Sequence, residues 1–500
     1  MYEIMSADEA IRLIRDGDCI CVNSFVGIEN PTELHEAIYR RYQKMQSPTH
    51  LTMISSAGFG VWDEEHNAEG YIREGAVDKL ICGHFGAMLS TKKLVLEDRF
   101  EAYNLPLGCI SHAIRAQAGG LPGALSKVGL DIFVDPRREG PGINRISIDD
   151  SLVKHVEVDG EEFLYYKLPK ITIALIKGTA ADRKGNITFD DMFMSGDALS
   201  ICQAVKANRG KVIVQVDRLV DTPSRPRNAI IPGCLVDAIV VAEPEEKNEA
   251  YKALTGSFEI PYEEWNQWSE KLEQVSAKQP KNTTVANIIG KRAAKELRVD
   301  DIVNIGIGIP EMVSRYARKS GMLDMVTLTV ESGGIPVSGE AFGAMIGAAS
   351  VYDMANQFDL YDNGGLDVCF MGALEVDKEG NINAHRGPGA FAGIGGFANI
   401  TAKTPTVVFC LSFNAKGLEV TQKKGVVTIE KEGSVPKFVN KVKSVSFSAK
   451  RAISNGQKVL YVTERCVFRL TPKGLKLIEV YPGIDIQKDI LSQLLFEVEI

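Results

Sequence analysis

The sequence has no hydrophobic run long enough to cross a membrane. Its longest apolar stretches, such as residues 235–242, are far shorter than the roughly 20 apolar residues that a transmembrane helix needs. The first nine residues, MYEIMSADE, contain neither a basic segment nor an apolar one, so they show no secretory signal. We therefore expect no membrane partner and a cytoplasmic location.

Positive charge is also in deficit. The 57 lysine and arginine residues are outnumbered by 65 aspartate and glutamate residues, which gives a formal net charge of −8. A protein that holds nucleic acid needs a positive field to attract the phosphates. The overall balance argues against a nucleic acid partner and leaves room only for a local basic pocket.

The ligand patterns of metal sites are missing as well. Nine cysteines, an odd number, are scattered along the chain, and the seven histidines form no HExxH motif. No CxxC pair with distant ligands is present, so neither common zinc pattern is met. The sequence predicts no metal, and its cysteines are best explained as reduced core residues.

The composition that is present, 45% hydrophobic and 24% charged residues, is that of a soluble protein with a large buried core. A chain of 500 residues is too long for one core. The polar stretch 266–284 has almost no apolar residues at helix or strand spacing, and this predicts a linker. We therefore expect an N-terminal domain, 1–265, and a C-terminal domain, 285–500.

A weak internal repeat relates the two halves. Residues 16–38 and 299–317 both have the pattern of a strand, a glycine turn, a proline and a helix. Further on, residues 174–191 and 369–386 both have the pattern of an apolar strand that runs into a GNI turn. The same order of marks in both halves predicts two similar domains.

The first half of the chain has more residues between these two shared patterns than the second half has. Segments 130–140, 154–160 and 161–168 resemble strands with turns between them, so residues 119–169 predict a β-rich insert that could wall a neighbouring site. Strands such as 211–216 and 406–413 are apolar on both faces, which is typical of parallel sheets covered by helices. We predict two open α/β domains with parallel-rich sheets flanked by helices.

Two glycine-rich segments lie where such strands are expected to end. In NIGIGIPE, from Asn304 to Glu311, a strand runs into two glycines and a proline that suits the first turn of a helix. The free N–H groups of that helix start would favour an anion. The segment GIGGFA at 393–398 fits the loose GxGxxA pattern, but a single match is weak. By motif alone, backbone packing and ligand contact explain these glycines equally well.

A third segment, 325–334, is an alternating strand that ends at Glu331 and is followed by a serine and two glycines. A solvated strand end or a helix cap would explain Glu331 without any function. The functional interpretation is a carboxylate nucleophile or base in a glycine-lined cleft. A serine hydrolase is disfavoured, because Val330 stands where GxSxG requires its first glycine.

With these segments in place, the chain resembles the family I coenzyme A transferases over essentially its whole length, in the fused two-domain form. The branch that acts on acyl-CoA and acetate or propionate is the nearest. The marks are NIGIGIPE from Asn304, TLTVESGG around Glu331, GGLDVCFMGALEVDKEGNIN from Gly364, AGIGGF from Ala392, YVTERCVF from Tyr461 and PGIDIQ from Pro482. Together they are highly specific.

The resemblance implies a role for several residues. It makes Glu331 the nucleophile, Gly396 the N–H donor to the thioester oxyanion and Asn304 a residue of the reacting pocket. For coenzyme A (CoA) binding it points to Gly306, Gly308, Gly393, Gly395 and Phe397. It also implies that CoA is a substrate and covalent intermediate, that no cofactor is permanently bound, and that the chain forms a homo-oligomer, a dimer or tetramer.

The sequence departs from the 3-ketoacid branch of that family at the acceptor site. It has Pro106-Leu107-Gly108 where that branch has PQG, and SSAG from Ser55 where that branch has NNAG. Both changes remove amide groups that could hold a keto oxygen. We therefore predict short monocarboxylates such as acetate, propionate or butyrate as substrates, while the hydroxyls of Ser55 and Ser56 leave hydroxyacids open. The predicted acceptor residues are Phe25, Ser55, Ser56, Leu107 and Gly108, with the insert and segments 25–31, 55–58 and 84–86 as candidate walls.

Three alternatives stay open at the level of sequence. A 3-ketoacid CoA-transferase and a CoA thioester hydrolase would share the fold, and a ligand-sensing protein without catalysis would belong to the wider superfamily of sugar-phosphate isomerase-like proteins. The intact Glu331 and its glycine loops argue against the last.

Overall fold

The structure is a computed structural model that describes residues 2–60, 67–190, 192, 194–242, 283–335, 348–387 and 390–500. Its helices are α1 (Ala7–Ala10), α2 (Thr32–Met45), α3 (Ala68–Arg73), α4 (Leu89–Leu96), α5 (Leu107–Ala118), α6 (Ala198–Ala207), α7 (Thr283–Ala293), α8 (Met312–Lys319), α9 (Met354–Asp362), α10 (Phe397–Lys403) and α11 (Ala449–Ser454). No helix within the described ranges is both long and apolar enough to span a bilayer.

The first half of the chain forms a ten-stranded sheet. Its strands are β1 (Glu3–Ile4), β2 (Cys19–Val22), β3 (Leu51–Ser55), β4 (Val77–Cys82), β5 (Glu101–Asn104), β9 (Ile173–Asp182), β10 (Ile187–Thr188), β11 (Lys211–Val220), β12 (Ala229–Ile231) and β13 (Ala238–Val241). Eight of them pair in parallel in the order β1-β13-β11-β9-β2-β3-β4-β5. Every residue of β9 is buried, as expected for a central parallel strand covered on both faces.

The second half forms a seven-stranded sheet from β14 (Ile302–Ile305), β15 (Thr327–Thr329), β18 (Val368–Gly372), β23 (Thr406–Cys410), β29 (Lys458–Val462), β30 (Cys466–Thr471) and β31 (Gly474–Val480). Its order is β15-β14-β18-β23-β29-β30-β31, parallel up to β29 and antiparallel beyond. After β14 the chain adds β15 on one side of it and then β18 on the other, so the strand order reverses between β14 and β18. Open α/β sheets bind ligands beyond the carboxyl ends of the strands at such a point.

Short strands complete the second half: β16 (Gly334–Ile335), β17 (Ser350–Val351), β19 (Glu375–Asp377), β20 (Ile382–Asn383), β21 (Arg386–Gly387), β22 (Ala390–Phe391), β24 (Asn414–Ala415), β25 (Glu419–Lys423), β26 (Val426–Lys431), β27 (Val435–Pro436) and β28 (Phe438–Val439). They form small sheets of two or three strands, among them β20-β19-β28. The α/β fold class predicted from the sequence, with parallel-rich sheets flanked by helices, is thus confirmed.

The predicted linker 266–284 lies outside the described residues except for Thr283 and Thr284, which begin α7. In the region of the predicted insert, β6 (Ala124–Ser126), β7 (Val153–Val158) and β8 (Glu161–Tyr166) form a separate antiparallel sheet. The expected strand at 130–140 was wrong. These residues form turns, because the Asp135 carboxylate accepts the backbone N–H groups of Asp131 and Arg137 and folds the chain back on itself.

The two halves contact each other through apolar side chains and through helices α5, α9 and α10. One buried cluster joins Phe25, Ala57 and Leu107 of the first half to Met354 and Phe358 of the second. Charged groups add to this contact, since Arg115 of α5 forms a two-pronged ion pair with Asp359 of α9 at 2.9 Å. The carboxyl edge of the second sheet therefore faces the first half.

Candidate active site

A pocket of about 450 Å³ lies at the carboxyl edge of the second sheet, where the first half covers it. Its floor comes from the ends of the parallel strands: Thr329 of β15, Ile305 of β14, Met371 and Gly372 of β18, and Cys410 of β23. Phe25, Val26, Ala57, His84 and Leu107 of the first half form the opposite wall. The pocket is thus closed by both halves and is mostly apolar.

Glu331 projects into this pocket from a tight turn that follows β15. Val330 forms an isolated bridge with Gly334, and the N–H of Gly333 donates to the Val330 carbonyl at 3.1 Å. Gly333 has a φ of +111°, and a Cβ there would overlap the carbonyl of Tyr352, so only glycine fits. The ESGG sequence therefore turns the chain sharply and leaves the Glu331 side chain at the strand mouth.

The carboxylate of Glu331 accepts the backbone N–H of Gly396. A Cβ on residue 396 would overlap Oε2 of Glu331, so the absence of a side chain is what allows this approach. Burial raises the pKa of Glu331 to about 7, and the Gly396 N–H opposes that rise in part. The group is a partly desolvated carboxylate with one aligned N–H donor, which is the chemistry that a nucleophile needs.

The loop that carries Gly396 is tied to the first half. The N–H of Gly395 donates to the Gly83 carbonyl at 2.8 Å, and the N–H of Leu107 donates to the Gly395 carbonyl at 2.9 Å. Asn104 accepts the N–H of Ile394 at 3.0 Å and donates its amide to the carbonyl of Gly83 at 2.8 Å. The position of the Gly396 N–H thus depends on both halves of the chain.

Asn304 lies beside Glu331 on the neighbouring strand. It is buried, and its amide donates to the Thr329 carbonyl at 3.4 Å and to the Tyr361 hydroxyl at 3.3 Å. Tyr361 in turn donates to the Thr329 hydroxyl at 2.9 Å. The charge of Glu331 adds to burial in raising the pKa of Tyr361. These three polar side chains lie close to the carboxylate, and no sequence motif indicated Tyr361, which comes from α9.

Most of the residues expected at the site do line the pocket. Among those predicted for catalysis and CoA binding they are Glu331, Gly396, Asn304, Gly306, Gly393, Gly395 and Phe397. Gly308 is not in the lining, although its neighbours Ile307 and Ile309 are. Its φ of +85° sets the turn between β14 and α8, so its place is structural.

The expected acceptor residues divide into two groups. Phe25 and Leu107 line the pocket, whereas Ser55, Ser56 and Gly108 do not. The Ser55 hydroxyl accepts the N–H of Gly58 at 3.0 Å, and the Ser56 hydroxyl donates to the buried Asp197 at 2.6 Å.

Gly108 faces α9 and α10 instead, where a Cβ would lie 2.5 Å from Phe358 and from Asn399. The β-rich insert contributes no residue to the described lining. The pocket wall that the first half contributes is therefore more apolar than SSAG suggested.

His84 is the polar ring in that wall. Its ring packs between Gly86 and Gly395, and a Cβ at residue 86 would overlap it. Burial lowers the pKa of His84 to about 4, so the ring is neutral at pH 7. The sequence indicated segment 84–86 as a candidate wall but gave no reason to single out the imidazole.

Comparison with known proteins agrees with this geometry. Residues 4–242 and 286–489 match the family described as coenzyme A transferase. The chain is 37% identical over 503 residues to the acetate CoA-transferase YdiF of Escherichia coli (strain K12), covering 99% of this chain and 92% of that protein. It is 39% identical over 508 residues to the caffeate CoA-transferase of Acetobacterium woodii, covering 99% and 94%.

The crystal structure of YdiF from Escherichia coli O157:H7 superposes with a TM-score of 0.89 at 35% identity and covers all of this chain and 93% of that one. A second YdiF structure with the same score is a thioester complex with CoA. The fold and the glutamate-bearing pocket define an enzyme of group transfer, and the chain belongs to the coenzyme A transferase family. It is a CoA-transferase.

Proposed function

We propose that this enzyme moves CoA from a short-chain acyl-CoA to a free monocarboxylate through a glutamyl-CoA thioester at Glu331. The observation that carries the proposal is the buried carboxylate of Glu331 beside the Gly396 N–H. The thioester complex of YdiF supports a covalent intermediate of this kind. CoA is then both substrate and covalent intermediate, and the first half of the chain supplies the acceptor wall.

The reaction consists of two half-reactions, and the second is the reverse of the first. The Glu331 carboxylate attacks the acyl carbonyl of acyl-CoA, the C–S bond breaks, and a mixed anhydride and a CoA thiolate form. The thiolate then attacks the glutamyl carbonyl, which releases the first acid as its carboxylate and leaves the glutamyl-CoA thioester. An incoming carboxylate reverses both steps, so the kinetics are ping-pong.

The site's own groups supply the catalysis. Every nucleophile and leaving group is an anion, so the protein must position them and place N–H groups where negative charge develops. Removing one such donor typically costs about 3 to 4 kcal/mol of transition-state stabilisation. The Gly396 N–H is placed for this task. The apolar wall formed by Phe25, Val26, Ala57 and Leu107 keeps water from the anhydride and the thioester.

The apolar wall also supports the choice of substrate. Ser55 and Ser56 use their hydroxyls inside the protein, and Leu107 offers no hydrogen bond to a substrate oxygen. A wall of this kind favours acids with a short hydrocarbon chain, such as acetate, propionate and butyrate, over a 3-ketoacid.

The first test separates transfer from hydrolysis. Acetyl-CoA is added with and without propionate, and we expect loss of acetyl-CoA to continue only with the second acid. In its absence the enzyme should accumulate the thioester, which borohydride reduces, so peptide mass analysis should find a modified Glu331. Sustained hydrolysis without propionate would favour a thioesterase instead.

The matched variants are Glu331→Ala, Glu331→Asp and Glu331→Gln. We expect no exchange with alanine or glutamine and almost none with aspartate, because shortening the side chain by one methylene displaces the nucleophile by about 1 Å. The glutamine variant keeps the shape of the side chain, and a melting temperature equal to that of wild type would show that its fold is intact. Normal turnover by Glu331→Ala would overturn the assignment of the nucleophile.

A second prediction concerns the acceptor. Leu107→Gln introduces an amide into the apolar wall, so kcat/KM for acetoacetate relative to propionate should rise by on the order of tenfold, the value of one neutral hydrogen bond. Both acids are measured with wild type and variant under one acyl-CoA donor. If wild type already prefers acetoacetate, or if the ratio stays unchanged, Leu107 does not set the acceptor preference.

A further inference from the structure

The two halves of the chain begin equivalent helices with different residues. In the second half, α10 follows the β19–β20 hairpin and precedes β23, and Gly396 is the residue just before it. In the first half, α6 follows the β9–β10 hairpin and precedes β11, and Asp197 is the residue just before it. The first half thus has a carboxylate where the second half has the glycine whose N–H contacts Glu331.

Asp197 is buried and accepts two hydroxyl groups. One oxygen of its carboxylate accepts the Ser56 hydroxyl at 2.6 Å and the Ser111 hydroxyl at 2.8 Å. Its backbone N–H donates to the side-chain oxygen of Asn23 at 2.9 Å. Burial raises the pKa of Asp197 to about 6, which the two hydroxyl groups oppose in part, so the carboxyl group is mostly ionised at neutral pH. Hydrogen bonds to an ionised acceptor are roughly twice as strong as those to a neutral one.

Each of these three partners is a close neighbour in sequence of a residue in the apolar wall of the pocket. Ser56 immediately precedes Ala57, and Ser111 lies one turn after Leu107 on the same face of α5. The third partner comes two residues before Phe25. One buried residue therefore holds the backbone behind this wall.

The segment that carries Asp197 also supports the turn after Glu331. The Ser195 hydroxyl donates to the Tyr352 carbonyl at 3.2 Å, and the Tyr352 N–H donates to the Gly333 carbonyl at 2.7 Å. The same short segment is thus bonded to the apolar wall and to the turn that carries the nucleophile, which lie on opposite sides of the pocket.

We propose that Asp197 is a positioning residue of the transfer reaction, which keeps the apolar wall closed over the glutamyl-CoA thioester and so excludes water from it. The proposal rests on the proposed function. Without the carboxylate, the hydroxyl groups of Ser56 and Ser111 lose their acceptor and the wall loosens. Water then attacks the glutamyl carbonyl and the C–S bond breaks. One proton passes to the CoA sulfur and another to solvent, the Glu331 carboxylate is restored, and CoA is lost without transfer.

The test measures how fast the thioester decays without an acceptor. Enzyme loaded with acetyl-CoA is separated from small molecules at pH 8, and the CoA that it then releases is measured by chromatography. Asp197→Ala should decay on the order of tenfold faster than wild type, the value of one hydrogen bond to a charged group. Asp197→Asn keeps an oxygen acceptor for the two hydroxyl groups, so its decay should stay within a factor of about three of wild type.

Asp237→Ala is the matched control. Asp237 binds Lys206 at the other end of α6 and is not among the described lining residues of the pocket. We expect this variant to have a lower melting temperature but a thioester as long-lived as that of wild type. Ser56→Ala and Ser111→Ala each remove one hydrogen bond to Asp197 with a small change in volume, and they should give intermediate decay rates.

Decay at the wild-type rate in Asp197→Ala would overturn the proposal. Equal acceleration by Asp237→Ala, or no rescue by Asp197→Asn, would also overturn it, because the effect would then not come from the lost acceptor. If Asp197→Ala does not fold, wild-type decay in both serine variants is the contradicting result. The proposed function would fail differently, since wild-type enzyme would then form no thioester.

Discussion

At the scale of single residues, Glu331 shows how its surroundings change an ordinary side chain. A glutamate at a strand end is usually ionised well below pH 7. Here the pocket walls withdraw water from the carboxyl group, and only one backbone N–H compensates the charge. The carboxylate is therefore less stabilised and more reactive than a solvated one, at the cost that part of it is protonated near neutral pH.

This shift predicts the pH dependence of the first half-reaction. Glu331 attacks only when ionised, and burial raises its pKa to about 7, so kcat/KM for acyl-CoA should rise from pH 5.5 and level off above pH 8. The measurement is kcat/KM for acetyl-CoA at saturating acceptor over that range. A midpoint near 4.5, the ordinary value for a glutamate, would contradict the burial of the free carboxylate.

At the scale of elements, helix α5 brings Leu107 to the pocket and is held there by α10. Asn399 of α10 accepts the N–H of Gly108 at 3.2 Å and donates its amide to Asp362 of α9 at 2.8 Å. Asp362 is largely shielded from solvent, and this desolvation raises its pKa to about 6. One buried amide thus links the three helices that position Leu107, Tyr361 and Gly396.

Asn399→Ala should therefore destabilise the protein by about 1 to 3 kcal/mol, the cost of leaving buried polar groups without a partner. Thermal unfolding of wild type and variant at one pH and scan rate measures the change. Asn455→Ala, at the exposed end of α11, is the control and should change stability by less than about 0.5 kcal/mol. Equal melting temperatures for Asn399→Ala and wild type would show that the link is dispensable.

The sequence repeat is also explained at this scale. In the first half the Asp182 carboxylate accepts the backbone N–H of Asn186 at 3.0 Å, and in the second half Asp377 accepts that of Asn381 at 2.9 Å. Gly185 and Gly380 have positive φ in the two turns. The GNI turns are thus the same structure, built twice from local hydrogen bonds, which is why they could be recognised from sequence.

At the scale of the whole molecule, the geometry of the candidate active site depends on the contact between the halves. The loop 392–396 belongs to the second half, but Asn104 and Gly83 of the first half fix its backbone. A Cβ on Gly393 would lie 2.6 Å from the Gly83 carbonyl, so the two backbones meet without room for a side chain. The N–H donor and the nucleophile are aligned only when both halves are assembled.

Asn104→Ala should therefore lower kcat on the order of a hundredfold, because a displacement of about 1 Å at a reacting group has that effect. Since the Gly396 N–H lowers the pKa of Glu331, the midpoint of the pH profile should also move upward. A merely structural role would lower the melting temperature without moving that midpoint. Unchanged kcat and midpoint would show that the loop keeps its place without Asn104.

The sequence by itself determined the fold class, the family, and the place of Glu331 and most of the glycines around it in one pocket. These features depend on local patterns: buried parallel strands, turns that need glycine, and a carboxylate at a strand end. The same local evidence misled at 130–140, where a strand-like pattern is folded into turns by Asp135. It also misplaced Ser55 and Ser56, whose hydroxyls bond within the protein.

Only the tertiary structure decided which side chains meet. Tyr361 and the imidazole of His84 come from segments far apart in the chain, and no local pattern distinguishes either side chain. Their environments arise when the carboxyl edge of one sheet is covered by the other half, because burial depends on what packs above a residue. The raised pKa of Glu331 and the neutral state of His84 both follow from that burial, which adjacent residues in a sequence do not encode.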